Sequence, residues 1–258
     1  MIFRARFFAV ILAPAMLFAI CLAAPSARAQ NSAGVSAAPI AVTEPAYSRL
    51  NSWGVFAEYG PATHPQFIGV SDDRRIVAVG AEYARRLLWN NSIELDYVAQ
   101  VRPFLLESDP TLTGVREASG NQMLVTYPSP QRVVTVSRAP FLLEPQNVMA
   151  VNVYGRTSTY AGGANPIGFK LNFRTHHKFQ PYLNSNGGFL FSTRDIPVDQ
   201  TSSFNFDFEF GAGLETYMSA TRSLRIGYAF HHISNAYIVS FDPGIDSGLI
   251  EVTYSFGH

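Results

Sequence analysis

Cysteine is almost missing from this 258-residue sequence, and Cys21 is the only one. It lies in an apolar run over 7–24 that follows Arg4 and Arg6 and precedes Ala27-Arg28-Ala29. A basic start, an apolar stretch and a small-x-small triplet together make a secretory signal peptide over 1–29, with Gln30 as the first residue after cleavage. Pro14 inside so short a run argues against an uncleaved anchor. Phe18-Ala19-Ile20-Cys21 is a poor lipoprotein signal, because Ile20 is bulky beside the acceptor cysteine. Cys21 then leaves with the peptide, and the exported chain is expected to have neither disulfides nor thiol chemistry. Lysine is nearly as scarce: Lys170 and Lys178 are the only two among 19 basic residues. The charge balances at 19 basic against 19 acidic residues, with no basic block, which argues against a nucleic-acid partner. Charged residues make up only 15%, against roughly 25% in an ordinary soluble domain. After Ala29 no run approaches the roughly 18 apolar residues of a membrane helix. An exported chain of this kind can enter a membrane only as a closed β-barrel.

What is abundant is aromatic, 13% of the residues, with 20 Phe and 12 Tyr. Residues 30–52 begin with a stretch rich in Ala, Ser, Pro and Val and read as a flexible leader. From Trp53 onward the dominant period is two. In Phe204-Asn205-Phe206-Asp207-Phe208-Glu209-Phe210 the four Phe share one face, and Asn, Asp and Glu share the other. Ile167, Phe169, Leu171 and Phe173 alternate with Gly168, Lys170, Asn172 and Arg174, and the stretch over 93–101 behaves alike. Alternation by itself fits a soluble sandwich with its apolar face inside, or a membrane barrel with that face in lipid. Recurrent rows of large apolar residues favour the barrel. So do Trp53, Tyr59, Trp89, Tyr97, Tyr228 and Tyr254, placed near strand ends or on the apolar face, where interfacial girdles sit.

The expected fold is therefore all-β, an eight-stranded antiparallel up-and-down transmembrane barrel over 53–258. Its strands fall near 53–60, 75–88, 93–104, 160–174, 179–191, 203–218, 223–234 and 246–256. Short turns alternate with longer connections, the longest near 105–159, where Val133-Val134-Thr135-Val136 and 148–153 suggest an extra hairpin. The inward set Glu94, Asp96, Lys170, Asn172, Arg174, Asp207, Glu209 and Arg225 reads as a paired polar filling, with His231 pairing to an acid such as Glu209. His176-His177 beside Lys178 reads as a solvated turn rather than a metal site, since neighbours on a strand face opposite ways. Gly162-Gly163 and Gly187-Gly188 are too isolated for phosphate loops. The residues call for no metal and no cofactor.

The last hairpin carries the candidate chemistry. His232 and Ser234 share the parity of Leu224, Ile226, Tyr228 and Phe230, and Asp246 shares that of Ile250, Val252, Tyr254 and Phe256. A His, a Ser and an Asp thus fall on the lipid-facing side near one rim, where polar groups are costly unless interfacial or functional. With both termini in the periplasm, that rim is the outer one. His232 fits a general base, Ser234 a nucleophile, Asp246 the group that orients the imidazole, and Asn235 an oxyanion donor. The plain alternative is a non-catalytic barrel, structural or adhesive, whose rim carries these residues. A soluble periplasmic barrel holding an apolar ligand is a third reading.

The segment His232-Ile233-Ser234-Asn235, followed by Pro243-Gly244-Ile245-Asp246, resembles the lipid A 3-O-deacylase (PagL) family of acyloxyacyl hydrolases. Looser similarity extends back through Gly211-Ala212-Gly213-Leu214 and Asn165-Pro166-Ile167-Gly168-Phe169, covering roughly the last 100 residues. The resemblance implies an eight-stranded outer-membrane barrel with a Ser-His-acid triad on its outer surface, acting on lipopolysaccharide through its lipid A. It leaves open whether the barrel pairs into a homodimer. Two departures stand out: the family acid is usually Glu where this chain has Asp246, and a family Asn linked to the oxyanion hole corresponds to Asp242. An ionised Asp242 cannot donate a hydrogen bond.

Overall fold

The computed structural model describes residues 47–63, 67–120 and 122–258. The expected signal peptide, 1–29, and leader residues 30–46 lie outside the described residues. Within the described residues the chain forms strands and no helix: β1 (Asn51–Gly60), β2 (Arg75–Trp89), β3 (Ile93–Glu117), β4 (Met123–Arg132), β5 (Phe141–Leu143), β6 (Val148–Phe173), β7 (Phe179–Ile196), β8 (Ser202–Ser219), β9 (Arg222–Ser234) and β10 (Ile245–Gly257).

Around the sheet the order is β4-β3-β2-β1-β10-β9-β8-β7-β6-β5, and β3 also pairs with β6. Every strand pairing is antiparallel. The β3–β6 pairing closes a ring of eight strands, at the eight places the alternation marked. The total of ten exceeds the expected eight because β4 and β5 flank that ring without entering it. Both lie in the 105–159 connection, which is mostly ribbon rather than loop: β3 and β6 stay paired from Ile93↔Phe173 to Glu117↔Ala150. β4 borders the far end of β3 and β5 the far end of β6. Of the two Val-rich stretches expected to form a hairpin, 148–153 opens β6, but 133–136 follows β4 without strand structure. Pro103 and Pro166 sit where the ladder slips, between Arg102 and Leu105 and between Ala164 and Ile167. A residue without an N–H is tolerated in a long strand at such a bulge.

Burial decides between the sandwich and the membrane barrel. Along β8 Asn205, Asp207 and Glu209 are buried, whereas Phe206 is 44% and Phe210 53% exposed. Ile226, Tyr228, Ile250 and Trp53 are each half exposed or more. A soluble protein would bury these and expose the acids; here the order is inverted, as a lipid-facing wall requires. Trp53 and Tyr83 pack ring to ring at 5.0 Å on this wall.

The interior is filled by ion pairs, which an apolar environment demands of any buried charge. Arg225 meets Glu82 at 2.7 Å and Glu251 at 3.3 Å, and Lys170 meets Glu215 at 2.9 Å and Asp96 at 3.2 Å. Arg102 holds Glu58 at 3.0 Å and also pairs with Asp207 and Glu209. His231 meets Asp207 at 2.5 Å; the expected Glu209 is the farther partner, at 3.9 Å. Arg174, expected inside, is exposed in the β6–β7 turn with φ 62°. At the other boundary, Arg49 precedes β1 yet is buried, with Glu215 at 2.9 Å, so the end of the expected leader is part of the barrel. Because Arg102 serves three acids from two strands, Arg102→Met is expected to destabilise the barrel by about 3–5 kcal/mol, the cost of uncompensated buried charge. The measurement is the temperature at which the compact band unfolds on a semi-native gel; an unchanged temperature would contradict this role.

Candidate active site

The short turns fix which end of the ring carries the candidate residues. Asn90 Oδ1 accepts the N–H of Ser92 at 2.7 Å and of Ile93 at 2.9 Å, closing β2–β3 as an Asx turn. The β6–β7 and β8–β9 turns lie at this same end, beside Ser52↔Gly257, where the strand run starts and finishes. His176 and His177 are exposed in the β6–β7 turn, with Lys178. The β9–β10 hairpin turns at the opposite end.

There, His232 and Asp246 are direct cross-strand partners. Their shared parity puts both on the outward face, and a spacing of 14 residues spans the hairpin. His232 Nδ1 lies 2.7 Å from Asp246 Oδ1. The other carboxylate oxygen, Oδ2, accepts the main-chain N–H of Phe67 at 2.8 Å and of Ile68 at 2.9 Å. A carboxylate that accepts from all sides is ionised, so Nδ1 of His232 must be the donor. For a neutral ring that leaves Nε2 as a free acceptor. Nε2 is indeed buried without a hydrogen-bond partner.

Ser234 is two residues further along β9 on the same face, roughly 6.5 Å from His232 in a strand. It is 7% exposed, as is His232. No hydrogen bond joins Ser234 to His232 in this structure, so the histidine–acid pair is assembled and the serine stands beside it. The surrounding outward wall is aromatic. Phe206 is the cross-strand partner of Ser234 and Phe208 that of His232. Phe67, 80% exposed, packs edge-on against Phe230 at 5.3 Å.

Asn235 and Asp242 organise the loop that joins the two strands. Asn235 is fully buried; its Nδ2 donates to the Phe241 carbonyl at 3.0 Å. Asp242 accepts the main-chain N–H of Asn235 and of Tyr237, each at 3.2 Å. Ala236 and Tyr237 have φ of 51° and 59°, a left-handed pair that turns those N–H groups toward one carboxylate. Asp242 thus serves the loop, where a carboxylate is a better acceptor than an amide, and the acid hydrogen-bonded to His232 is Asp246.

Sequence reasoning missed residues 67–71 of the β1–β2 connection. They lie on the outer face beside β10 and supply the two N–H groups on Asp246. Phe67 and Asp246 are 179 positions apart, and no local pattern announces such a contact. Among the described residues one cluster has metal-ligand types, Asp207, Glu209 and His231. It lies on the inner face, and Arg102 already pairs with both of its carboxylates.

An inverted wall, a closed antiparallel ring and a charge-filled interior define an outer-membrane β-barrel. Residues 141–255 match the model of the family described as Lipid A 3-O-deacylase (PagL), which bears out the resemblance read in the sequence. The match contains His232, Ser234, Asn235, Asp242 and Asp246. The structure is similar to the crystal structure of the outer membrane enzyme PagL, at 14% identity and TM-score 0.46, covering 80% of this chain and 99% of that one. Neisserial surface protein A is similar at 13% identity and TM-score 0.39, covering 81% and 97%. The outer membrane protein OprG from Pseudomonas aeruginosa is similar at 9% identity and TM-score 0.40, covering 83% and 98%. A comparison with curated proteins finds no match.

Proposed function

We propose that this chain is an outer-membrane hydrolase that removes an ester-linked acyl chain from lipid A. The observation that carries the reading is the His232–Asp246 pair on the lipid-facing wall, with Nε2 unengaged and Ser234 next on the same face, inside the matched segment. With the chain ends in the periplasm, this end of the ring lies level with the outer leaflet, where lipopolysaccharide resides.

The chemistry is that of acyl transfer through an activated serine. Ser234 Oγ attacks the ester carbonyl while His232 Nε2 takes its proton. The carbonyl π electrons move onto oxygen, and Asp246 stabilises the imidazolium that forms. The intermediate collapses, the sugar oxygen leaves with the proton from Nε2, and the acyl group stays on Ser234. Water then attacks that ester by the same route in reverse and releases the fatty acid. Asn235 retains one amide hydrogen beyond its bond to Phe241, and this buried side chain would have to turn toward Ser234 to give it to the oxyanion. The aromatic wall around Phe206, Phe208 and Phe230 suits an acyl chain lying against the barrel.

Mass spectrometry of lipid A from cells with and without this protein tests the reading. The expected result is loss of the mass of one hydroxyacyl group only where the protein is present. Identical lipid A, with the barrel folded in the outer membrane, would instead leave the structural or adhesive barrel as the better account.

A further inference from the structure

We infer that residues 67–71 of the β1–β2 connection form a positioning strap for the catalytic acid, held in place by residues 133–136. The inference rests on the triad reading above. Asp246 needs one carboxylate oxygen on His232 and has a second oxygen to satisfy. The strap satisfies it with the N–H groups of Phe67 and Ile68. With Oδ1 on His232 and Oδ2 on two main-chain donors, rotation of the carboxylate breaks bonds on both sides. The imidazole is thereby fixed with Nδ1 toward the acid and Nε2 away from it.

The strap is fastened on two sides. Val70 N–H donates to the Pro243 carbonyl at 2.7 Å and Ser71 N–H to that of Gly244 at 3.2 Å. Ser71 bridges Ile245 in parallel. These bonds tie it to the stretch just before Asp246. Beyond it, Asp72 N–H donates to the Val134 carbonyl at 3.0 Å, and Asp72 Oδ1 accepts Val136 N–H at 2.8 Å. Arg74, fully buried, donates to the carbonyls of Val134 and Val133. The segment after β4 therefore clamps the strap from outside the ring.

Gly69 is the point of closest approach. A Cβ there would stand 2.7 Å from Asp246 N, 2.8 Å from the Ile245 carbonyl carbon and 2.9 Å from Asp246 Oδ1. Two of these are backbone atoms that cannot swing aside. Neither 67–74 nor 133–136 lies within the segment that matches the family model. The 105–159 segment thereby acquires a role in the site, fixing the geometry of the acid at second hand.

The test uses the full-length barrel in detergent with purified lipid A, reading fatty-acid release. Gly69→Ala is expected to lower kcat about 10- to 100-fold, the cost of a misplacement near 1 Å, with KM little changed. Asp72→Ala, which removes the Val136 bond of the outer anchor without touching the site, is expected to lower kcat less, in the same direction. A merely structural strap would cost the same factor in any background. A strap that acts through Asp246 costs nothing further once that residue is Asn. Equal losses in the Asp246→Asn background, or unchanged kcat in both single variants, would overturn the strap. If Gly69→Ala fails to fold, Asp72→Ala carries the same comparison. Full activity of Asp246→Asn itself would overturn the triad reading instead, so the two failures are distinguishable.

Discussion

Ser234→Ala is expected to leave lipid A untouched while the barrel still folds. The hydroxyl makes no hydrogen bond that its loss would orphan, and alanine keeps the backbone geometry of a strand end. The stability change should therefore stay small, within about 0.5 kcal/mol. The rate is another matter. Without Oγ no acyl-enzyme forms, and the remaining groups can only assist direct attack by water. Nucleophile removal in such sites costs roughly 10⁴- to 10⁶-fold, which in a cell erases the product peak. Mass spectrometry of lipid A and the folded band on a semi-native gel read the two quantities separately. Undiminished product from a folded Ser234→Ala barrel would remove Ser234 as the nucleophile.

Asp246→Asn is expected to reduce turnover by about 10⁴-fold, for a reason the strap makes specific. An asparagine must offer its oxygen to the N–H groups of Phe67 and Ile68, since two donors cannot face its NH2. The amide NH2 then points at His232 Nδ1, which becomes the acceptor. The ring proton moves to Nε2, and the base that Ser234 needs is gone. Asp246→Ala leaves the tautomer free and is expected to fall less far. If asparagine proves no worse than alanine in release kinetics, the tautomer argument fails while a general need for the carboxylate stands.

Parity is a local property, and what depends on it could be read without a structure. The ring strands, the division of each into an apolar and a polar face, and the shared face of His232, Ser234 and Asp246 follow from alternation over a few residues; which face turns inward is read from burial. The spacing between His232 and Asp246 likewise belongs to one hairpin. The strap on Asp246 does not, because main-chain N–H groups leave no mark in side-chain identity. Only Gly69 carries a trace, and a lone glycine in a connection has many ordinary explanations. The 105–159 segment reads as a long connection because its ribbon lies beyond the ring, where the lipid-facing alternation ends. Arg174 kept the parity of Lys170 and Asn172 but falls where the strand has ended and φ turns positive. Asp242 looked like a defect in an oxyanion hole, since the loop geometry that uses its two oxygens cannot be seen from residue type.

The ion pairs that cross the lumen from Arg49 to Arg102 have a consequence for how a substrate is met. With the inside occupied by Arg225, Lys170 and their acids, no substrate reaches the proposed wall site through the lumen, and a lipid substrate would come to it along the leaflet. Encounter is then a two-dimensional search, governed by the number of molecules per unit area of leaflet and by their lateral diffusion. Dilution of the surrounding medium would leave the rate of such a search unchanged, whereas diluting the leaflet with other lipids would slow it in proportion.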